Sequence, residues 1–484
     1  MNWARFFVAI AVGTVFLSTV GLPPDGWAQS ADTDILESQT EAVDQILRAT
    51  DRAINLGDLG GEPVTYQEVL RDPDNIGLNL RFARTQINQG NFRGASATLE
   101  RILLIAPNLQ QIQLLYAVVL FRQGNLDEAE RALRKLAALD LPDGIRADVD
   151  AYLEGIRKKR QRTRYTASVT LGGQLDSNRN TAPQSNTRLF LDIPVRVDRA
   201  ETDFAYIGFA NIRVDHDLGF QEGHSVFAAL SYYHDDQTAE DTQDLQSFMA
   251  EGGGVYRDWF MDGALTAKLT YTQVRLSRET FLHEYGGAVR YDREFTDRFA
   301  GFIGANLSHQ SFSPIHENPT SQERDGPQVS GTVGITYEIS PKHRIALDYQ
   351  LLNKNAKGRG PETEFFSYQR NQARLNHTWL LGNGQFLLNS FTFQRDRYAD
   401  ADPFISTRKR RDNIIRLRIT YGARLSYLVG KKGILGDRGI NIWDPLENIT
   451  FTPSIEFTRA QSNLQNFDFN NWKTLGLFTK SWSF

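Results

Sequence analysis

Cysteine is absent from all 484 residues, which excludes a disulfide framework, thiol chemistry and a lipid anchor built on an amino-terminal cysteine. Long apolar runs are absent after residue 22, so no spanning helix is expected beyond that point and any later membrane crossing must be made by strands. A strong charge of either sign is also missing. The formal net charge is −4, which leaves no global footprint for nucleic acid. No glycine-rich phosphate loop occurs, and no spacing unites a nucleophile, a base and an orienting group. The chain therefore reads as a protein that is not an enzyme and requires no cofactor or metal.

What is present falls into three stretches. Residues 1–28 read as a signal peptide: Arg5 gives the positive start, Phe6 to Leu22 the apolar stretch, and Gly26 and Ala28 the small residues before a cut after Ala28. A retained anchor is the alternative, disfavoured because the run is at the short limit for spanning.

Residues 29–164 change to helical periodicity, opening with Glu41 to Ala49. Gln89-Gly90-Asn91-Phe92 with Ala95 and Leu99 returns as Gln123-Gly124-Asn125-Leu126 with Ala129 and Leu133, and Ala83 returns as Ala117. The interval is the roughly 34-residue tetratricopeptide period. These are packing positions of helix pairs and name no ligand. Pro107 and Pro142 close the two repeats, Ala151 falls one period beyond Ala117 in an expected capping helix, and Asp72-Pro73-Asp74-Asn75 reads as the end of an earlier, degenerate repeat. The basic run Arg157 to Arg164 follows, either as a solvated helix end or as a contact for phospholipid headgroups.

Residues 165–484 alternate with period two. Phe204, Tyr206, Gly208, Ala210, Ile212 and Val214 form one such face, and Leu265 to Tyr271, Ile345 to Leu351 and Ile415 to Tyr421 repeat the pattern. About fourteen segments of this kind imply a closed antiparallel barrel in an outer membrane, apolar toward lipid and polar toward a lumen. The fold class is thus all-α tetratricopeptide-type repeats followed by an all-β transmembrane barrel. In the last strand Phe478, Trp482 and Phe484 share a face in the manner of the signal read by the barrel assembly machinery, with Lys480 as an exception on that face.

With the repeats in the periplasm, long external loops should follow odd strands and tight turns even ones. Asn178 to Arg199, Gln310 to Pro327, Asn353 to Glu364 and Tyr398 to Arg411 fit the first class; Thr296-Asp297, Ser340-Pro341 and Gly382-Asn383 fit the second. The long link from Gly430 to Pro445 breaks the parity, and Pro453 is expected to interrupt the following strand.

The first barrel strand runs into Asp176-Ser177-Asn178-Arg179-Asn180-Thr181-Ala182-Pro183, and the helical stretch holds Val69-Leu70-Arg71-Asp72-Pro73-Asp74-Asn75. With the order of signal peptide, short repeat domain and barrel, these segments resemble the surface lipoprotein assembly modulator (Slam) family. The resemblance covers nearly the whole mature chain. It implies an outer-membrane helper that passes lipoproteins or secreted proteins to the cell surface, with the barrel engaging the client and the helical domain contributing in the periplasm. Implied partners are the client, outer-membrane lipid and, during biogenesis, the assembly machinery. Asp176, Ser177, Asn178 and Asn180 are expected to order the loop through side-chain to backbone hydrogen bonds.

An exopolysaccharide secretion porin is the alternative, supported by Arg213, Lys268, Arg290, Arg344, Arg416 and Arg418 at inward positions and diluted by inward Asp215, Asp292 and Asp348. A plain diffusion porin would not need the repeats. All eight histidines lie in the barrel half, and His234-Asp235-Asp236 with Glu240, Asp241 and Asp244 reads as an acidic external loop able to hold a cation. Trp259, Tyr291 and Trp379 are expected in interface girdles.

Overall fold

The computed structural model describes residues 63–239, 244–316, 318–357, 363–382, 384–429 and 449–484. The signal peptide, the opening helix at Glu41 to Ala49, Glu240, Asp241, Asn383 of one tight turn and the link from Gly430 to Pro445 lie outside the described residues. The described chain divides into a helical unit ending at Arg162 and a second unit beginning at Thr163.

The helical unit contains α1 (Tyr66–Arg71), α2 (Ile76–Asn88), α3 (Phe92–Ile105), α4 (Gln110–Gln123), α5 (Leu126–Ala137) and α6 (Asp143–Arg160). Thr65 and Glu68 form a capping box at the start of α1. The helix stops at Arg71, so the segment read as helical through Asn75 ends early. Pro73 disfavours helical backbone before it, and Asn75 instead caps α2 by accepting from the Leu78 N–H. Gly90 and Gly124 follow the first helix of each pair at φ +75° and +83°, the left-handed region where glycine is strain-free. Ala83, Ala95 and Leu99 share one core cluster and Ala117, Ala129 and Leu133 the next. Ala151, by contrast, is exposed, and α6 packs through Val149, Tyr152 and Ile156. The position that would face a further repeat stays in solvent because α6 caps the stack.

The second unit is a closed barrel of fourteen antiparallel strands. They are β1 (Thr163–Asp176), β4 (Asp203–Asp217), β5 (Ser225–Gln237), β6 (Leu245–Tyr256), β7 (Ala264–Leu276), β8 (Glu279–Thr296), β9 (Phe299–Phe312), β10 (Gly326–Ser340), β11 (His343–Lys354), β12 (Tyr368–Gly382), β13 (Gln385–Tyr398), β14 (Arg411–Arg424), β15 (Ile449–Ser462) and β16 (Phe469–Ser483). The hairpin β2 (Thr187–Phe190) and β3 (Ile193–Arg196) lies in the first loop, and α7 (Leu425–Val429) follows β14. Closure pairs β1 with β16 from Thr166↔Ser483 to Asp176↔Lys473, so no edge is left unpaired.

The expected outward residues are exposed, among them Tyr206, Leu269, Leu347, Leu417 and Ile419. Two aromatic rings bound this belt: Tyr206, Tyr232, Tyr285, Tyr349 and Trp472 near the long-loop end, and Tyr165, Tyr337, Trp379 and Trp482 near the other. Trp259 stands edge-on to Tyr291 and Trp379 stacks on His343, both at that second ring. An apolar belt of this extent facing outward is the surface of a barrel that spans a membrane. Phe478, Trp482 and Phe484 are exposed on it, and Lys480 lies 5.9 Å from the Trp482 ring.

The long and tight connections fall at opposite ends, called here outer and inner. Ser277-Arg278 breaks the parity with a two-residue turn at the outer end. Both residues have positive φ, +48° and +66°, the mirror-image turn that suits strand twist, although neither is the usual glycine or asparagine. Pro453 does not interrupt its strand: it pairs with Gly476 inside β15. The missing N–H shows on the other side, where the β14–β15 ladder skips from Thr420↔Ser454 to Ala423↔Phe451.

Candidate functional site

The candidate site is the lumen and the loop that enters it. Alternation along β1 turns Ser168, Thr170, Gln174 and Asp176 inward, all buried. The chain then folds back inside rather than out into solvent: Asn178, Arg179, Thr181 and Ala182 are at most 6% exposed.

Local hydrogen bonds shape this loop. The Asn178 N–H donates to Asp176 Oδ1 at 3.0 Å, and the Asn178 amide bonds Ala182 twice, accepting from its N–H at 2.8 Å and donating to its carbonyl at 3.1 Å. Asn180 accepts from the Glu201 N–H and donates to the Arg199 carbonyl, joining the two limbs of the loop. Long-range contacts then tie the loop to the last strand. Asn178 Nδ2 donates to the Asn470 carbonyl, Ser177 Oγ accepts from the Trp472 N–H at 2.8 Å, and Asp176 pairs with Lys473 at 3.3 Å. Arg179 reaches past β4 and stands 3.6 Å from Asp235 on β5. Further along, Asn466 bonds both backbone groups of Leu189, and Gln465 donates to Thr187. The first and last loops are thus laced across the β1–β16 closure.

Below the loop the outer half of the lumen is packed. An apolar cluster of Ile207, Phe209, Tyr233, Val274, Phe312 and Leu475, with neighbours from β6 and β8, fills one side. The other side holds matched charges: Arg370–Asp396 at 2.9 Å, Arg410–Asp412 at 2.8 Å and Arg418–Glu456 at 2.5 Å. Buried charges are held by ion pairs such as these, or by hydrogen bonds as at Lys354 and Glu284. Burial toward the inner end is uneven: Arg213 and Asp215 are 29% and 37% exposed in their side chains, whereas Arg290 and Asp292, also near that end, are 1% and 4% exposed. The lumen side is thus densely filled at the outer end and more unevenly filled toward the inner end among the described residues.

The inward cations counted from sequence do face the lumen, yet most are neutralised on the spot. Arg213 pairs with Asp215 and Glu251, Lys268 with Glu251 at 2.5 Å, Arg290 with Asp292 at 2.7 Å, and Arg418 with Glu456. His234, Asp235 and Asp236 are not loop residues: they end β5, and alternation sends Asp235 into the lumen while His234 lies beside outward Tyr232. No group of three or more metal-ligating side chains forms among the described residues. In the basic run, Arg157 is bonded to Glu154 and Arg160 to Asp127 and Glu130, all within the helical unit. The arginine hydrogen bonds, that of Arg134 above all, hold the Glu130 carboxyl below its usual range.

Sequence reasoning passed over Arg370, Asp396, Arg410 and Lys473, named Arg179 only as part of the loop motif, and read Asp235 as a loop acid. No local signal marks a charged residue as buried when its partner lies on a strand far away in the chain.

Residues 65–117 match the tetratricopeptide repeat family model. No curated protein matches the chain. Among solved structures, the chain is similar to the outer membrane protein OpdK from Pseudomonas aeruginosa, at 9% identity and a TM-score of 0.31, covering 66% of this chain and 99% of that one. It is similar also to the P. putida toluene transporter TodX, at 8% identity and a TM-score of 0.33, over 66% and 90% of the two chains. A bacterial polysaccharide outer membrane secretin matches at 11% identity and a TM-score of 0.32, over 66% and 98%. Likeness at this level carries no inference about what passes through.

Proposed function

We propose that this chain is an outer-membrane translocation helper that passes a surface lipoprotein or a secreted protein across the outer membrane, as its resemblance to the Slam family implies. In this reading residues 1–28 are removed on export, residues 29–164 work in the periplasm, and residues 165–484 form the barrel with its long loops outside. The observation that carries it is the buried loop Asp176 to Pro183, bonded to the last strand and reaching Asp235 on β5. A diffusion porin needs a standing aqueous path, whereas the outer half of this lumen is filled by the loop and by the side chains beneath it. A protein client delivered from the periplasmic side is the kind of cargo that can supply the displacement energy through its own folding outside. The matched lumen charges count against the alternative of a polysaccharide conduit, which would present unpaired cations to an anionic polymer.

Protease shaving of intact cells tests the reading by comparing surface-exposed proteins of the wild type with those of a strain lacking this chain. One or a few proteins retained inside, with extracellular polysaccharide unchanged, supports the helper. An unaltered protein surface with a lost polysaccharide would overturn it.

A further inference from the structure

The outer wall of the barrel carries a cationic patch that the lumen does not account for. Arg395 and Arg397 on β13 and Arg411 on β14 occupy outward positions at the outer ends of their strands, and all three are exposed. Arg397 and Arg411 are direct cross-strand partners, an arrangement that is destabilising by itself. The acids interleaved with them point the other way. Asp396 pairs with Arg370 and Asp412 with Arg410 on the lumen side, so the side-chain period of two separates Arg395-Asp396-Arg397 and Arg411-Asp412 through the wall, cations out and acids in. No side-chain partner for the three arginines is found among the described residues.

The strand positions paired with them offer no counter-charge either, and the nearby acids Asp400 and Asp468 are matched by Lys409 and Arg459. Gln369 and Asn371 flank them on β12, and Asn413 faces Arg395 from β14. Directly toward the membrane the outward face turns apolar, with Phe391 and Phe393 on one strand and Ile415 and Leu417 on the other. Around the rest of the outer end the outward positions are mainly neutral, with Arg275 and Asp236 as isolated exceptions and Arg459 on β15 matched by Asp468 at 2.7 Å. Two facing guanidiniums immediately above an apolar wall complement an anionic headgroup carried on acyl chains, since a phosphate accepts bidentate bonds from arginine and the chains cover the aromatic and aliphatic surface.

We propose that Arg395, Arg397 and Arg411 bind the phosphorylated headgroup of a lipid in the leaflet at the outer end, with its acyl chains lying on Phe393 and Ile415. The assignment rests on the orientation proposed above, long loops outside, but is read without any client. The phosphate neutralises the Arg397–Arg411 repulsion and fixes the height of the barrel beneath the loops.

The test uses the full chain purified in detergent, with diphosphoryl lipid A as probe and native mass spectrometry as readout. The triple substitution Arg395→Gln, Arg397→Gln and Arg411→Gln is expected to weaken binding about tenfold or more, and the three Arg→Lys changes to lose less, since lysine keeps the charge without the bidentate bonds. Dephosphorylated lipid A is expected to bind wild type and variant alike and weakly. Equal affinity of the glutamine variant, or equal binding of the dephosphorylated lipid by wild type, would overturn the site. Displacement of lipid A by an equal concentration of inorganic phosphate would overturn the lipid assignment. If the triple variant fails to give the heat-modifiable mobility of a folded barrel, Arg397→Gln alone carries the test: it relieves a like-charge contact, is expected to fold, and should still lose several-fold in affinity.

Discussion

Asn178 does at one residue what the loop needs throughout, satisfying two backbone groups of Ala182 and one of Asn470 from inside a sealed space. Asn178→Ala leaves those groups without partners where water cannot reach them. The expected cost is about 1–3 kcal/mol, read as a lower unfolding temperature of the purified barrel and as new protease cleavage between residues 177 and 202. Asp192 at the hairpin tip acts differently. Its carboxylate accepts from the Ser406 hydroxyl and from the Thr407 N–H at 2.9 Å, and these bonds hold it below the usual aspartate range. A depressed folded value means the clasp contributes fully above the unfolded pKa of about 4 and is lost as pH falls through the lower folded one. Hydrogen exchange of the hairpin amides should therefore rise only under acid conditions, while Asp192→Asn should show that faster exchange at neutral pH as well. Unchanged exchange in the substituted chain would remove the clasp from the account.

At the scale of elements the question is which part moves. The β1–β16 ladder runs without a gap, Thr170 and Thr479 meet across it with hydroxyls 2.8 Å apart, and the first and last loops reinforce it from above. The loop has no such ladder. We expect passage through the lumen with the closure intact. Because the chain has no cysteine, Thr170→Cys with Thr479→Cys places its only thiols on facing positions of the two strands. The disulfide should form under oxidising conditions and leave the surface level of the client unchanged; a block on oxidation, relieved by reductant, would put the route through the wall instead. Much of this scale was legible beforehand. Alternation located the strands and the lipid-facing residues, and the glycine–alanine interval located the helix pairs. Of the misreadings, Pro453 was judged from residue type and the outer-end connections from strand parity, whereas ladder partners and the tight Ser277-Arg278 turn decided them.

For the whole molecule, the two units are expected to make separable contributions. Deleting residues 30 to 160 should leave the barrel inserted and heat-modifiable while lowering the client at the surface; an unchanged surface level would take the repeats out of the export role. The partial legibility of the site belongs to this scale as well. Asp176 to Pro183 was singled out through a family likeness, and its Asp176–Asn178 and Asn178–Ala182 bonds follow from short spacing. That the segment lies inside the barrel could not be read from it, because a loop of Asn, Ser, Thr and Arg is equally at home in solvent.

The amino-acid sequence by itself determined the fold class, the face of each strand that meets lipid, and the helical packing positions, since each rests on a period of two or 3.6 residues along a short stretch. Only the tertiary structure decided that Asp176 meets Lys473, that Arg179 meets Asp235, and that Arg397 stands unopposed beside Arg411. These are outcomes of closure and of strand register, which bring together residues far apart in the chain, and a local pattern contains no information about partners at that distance.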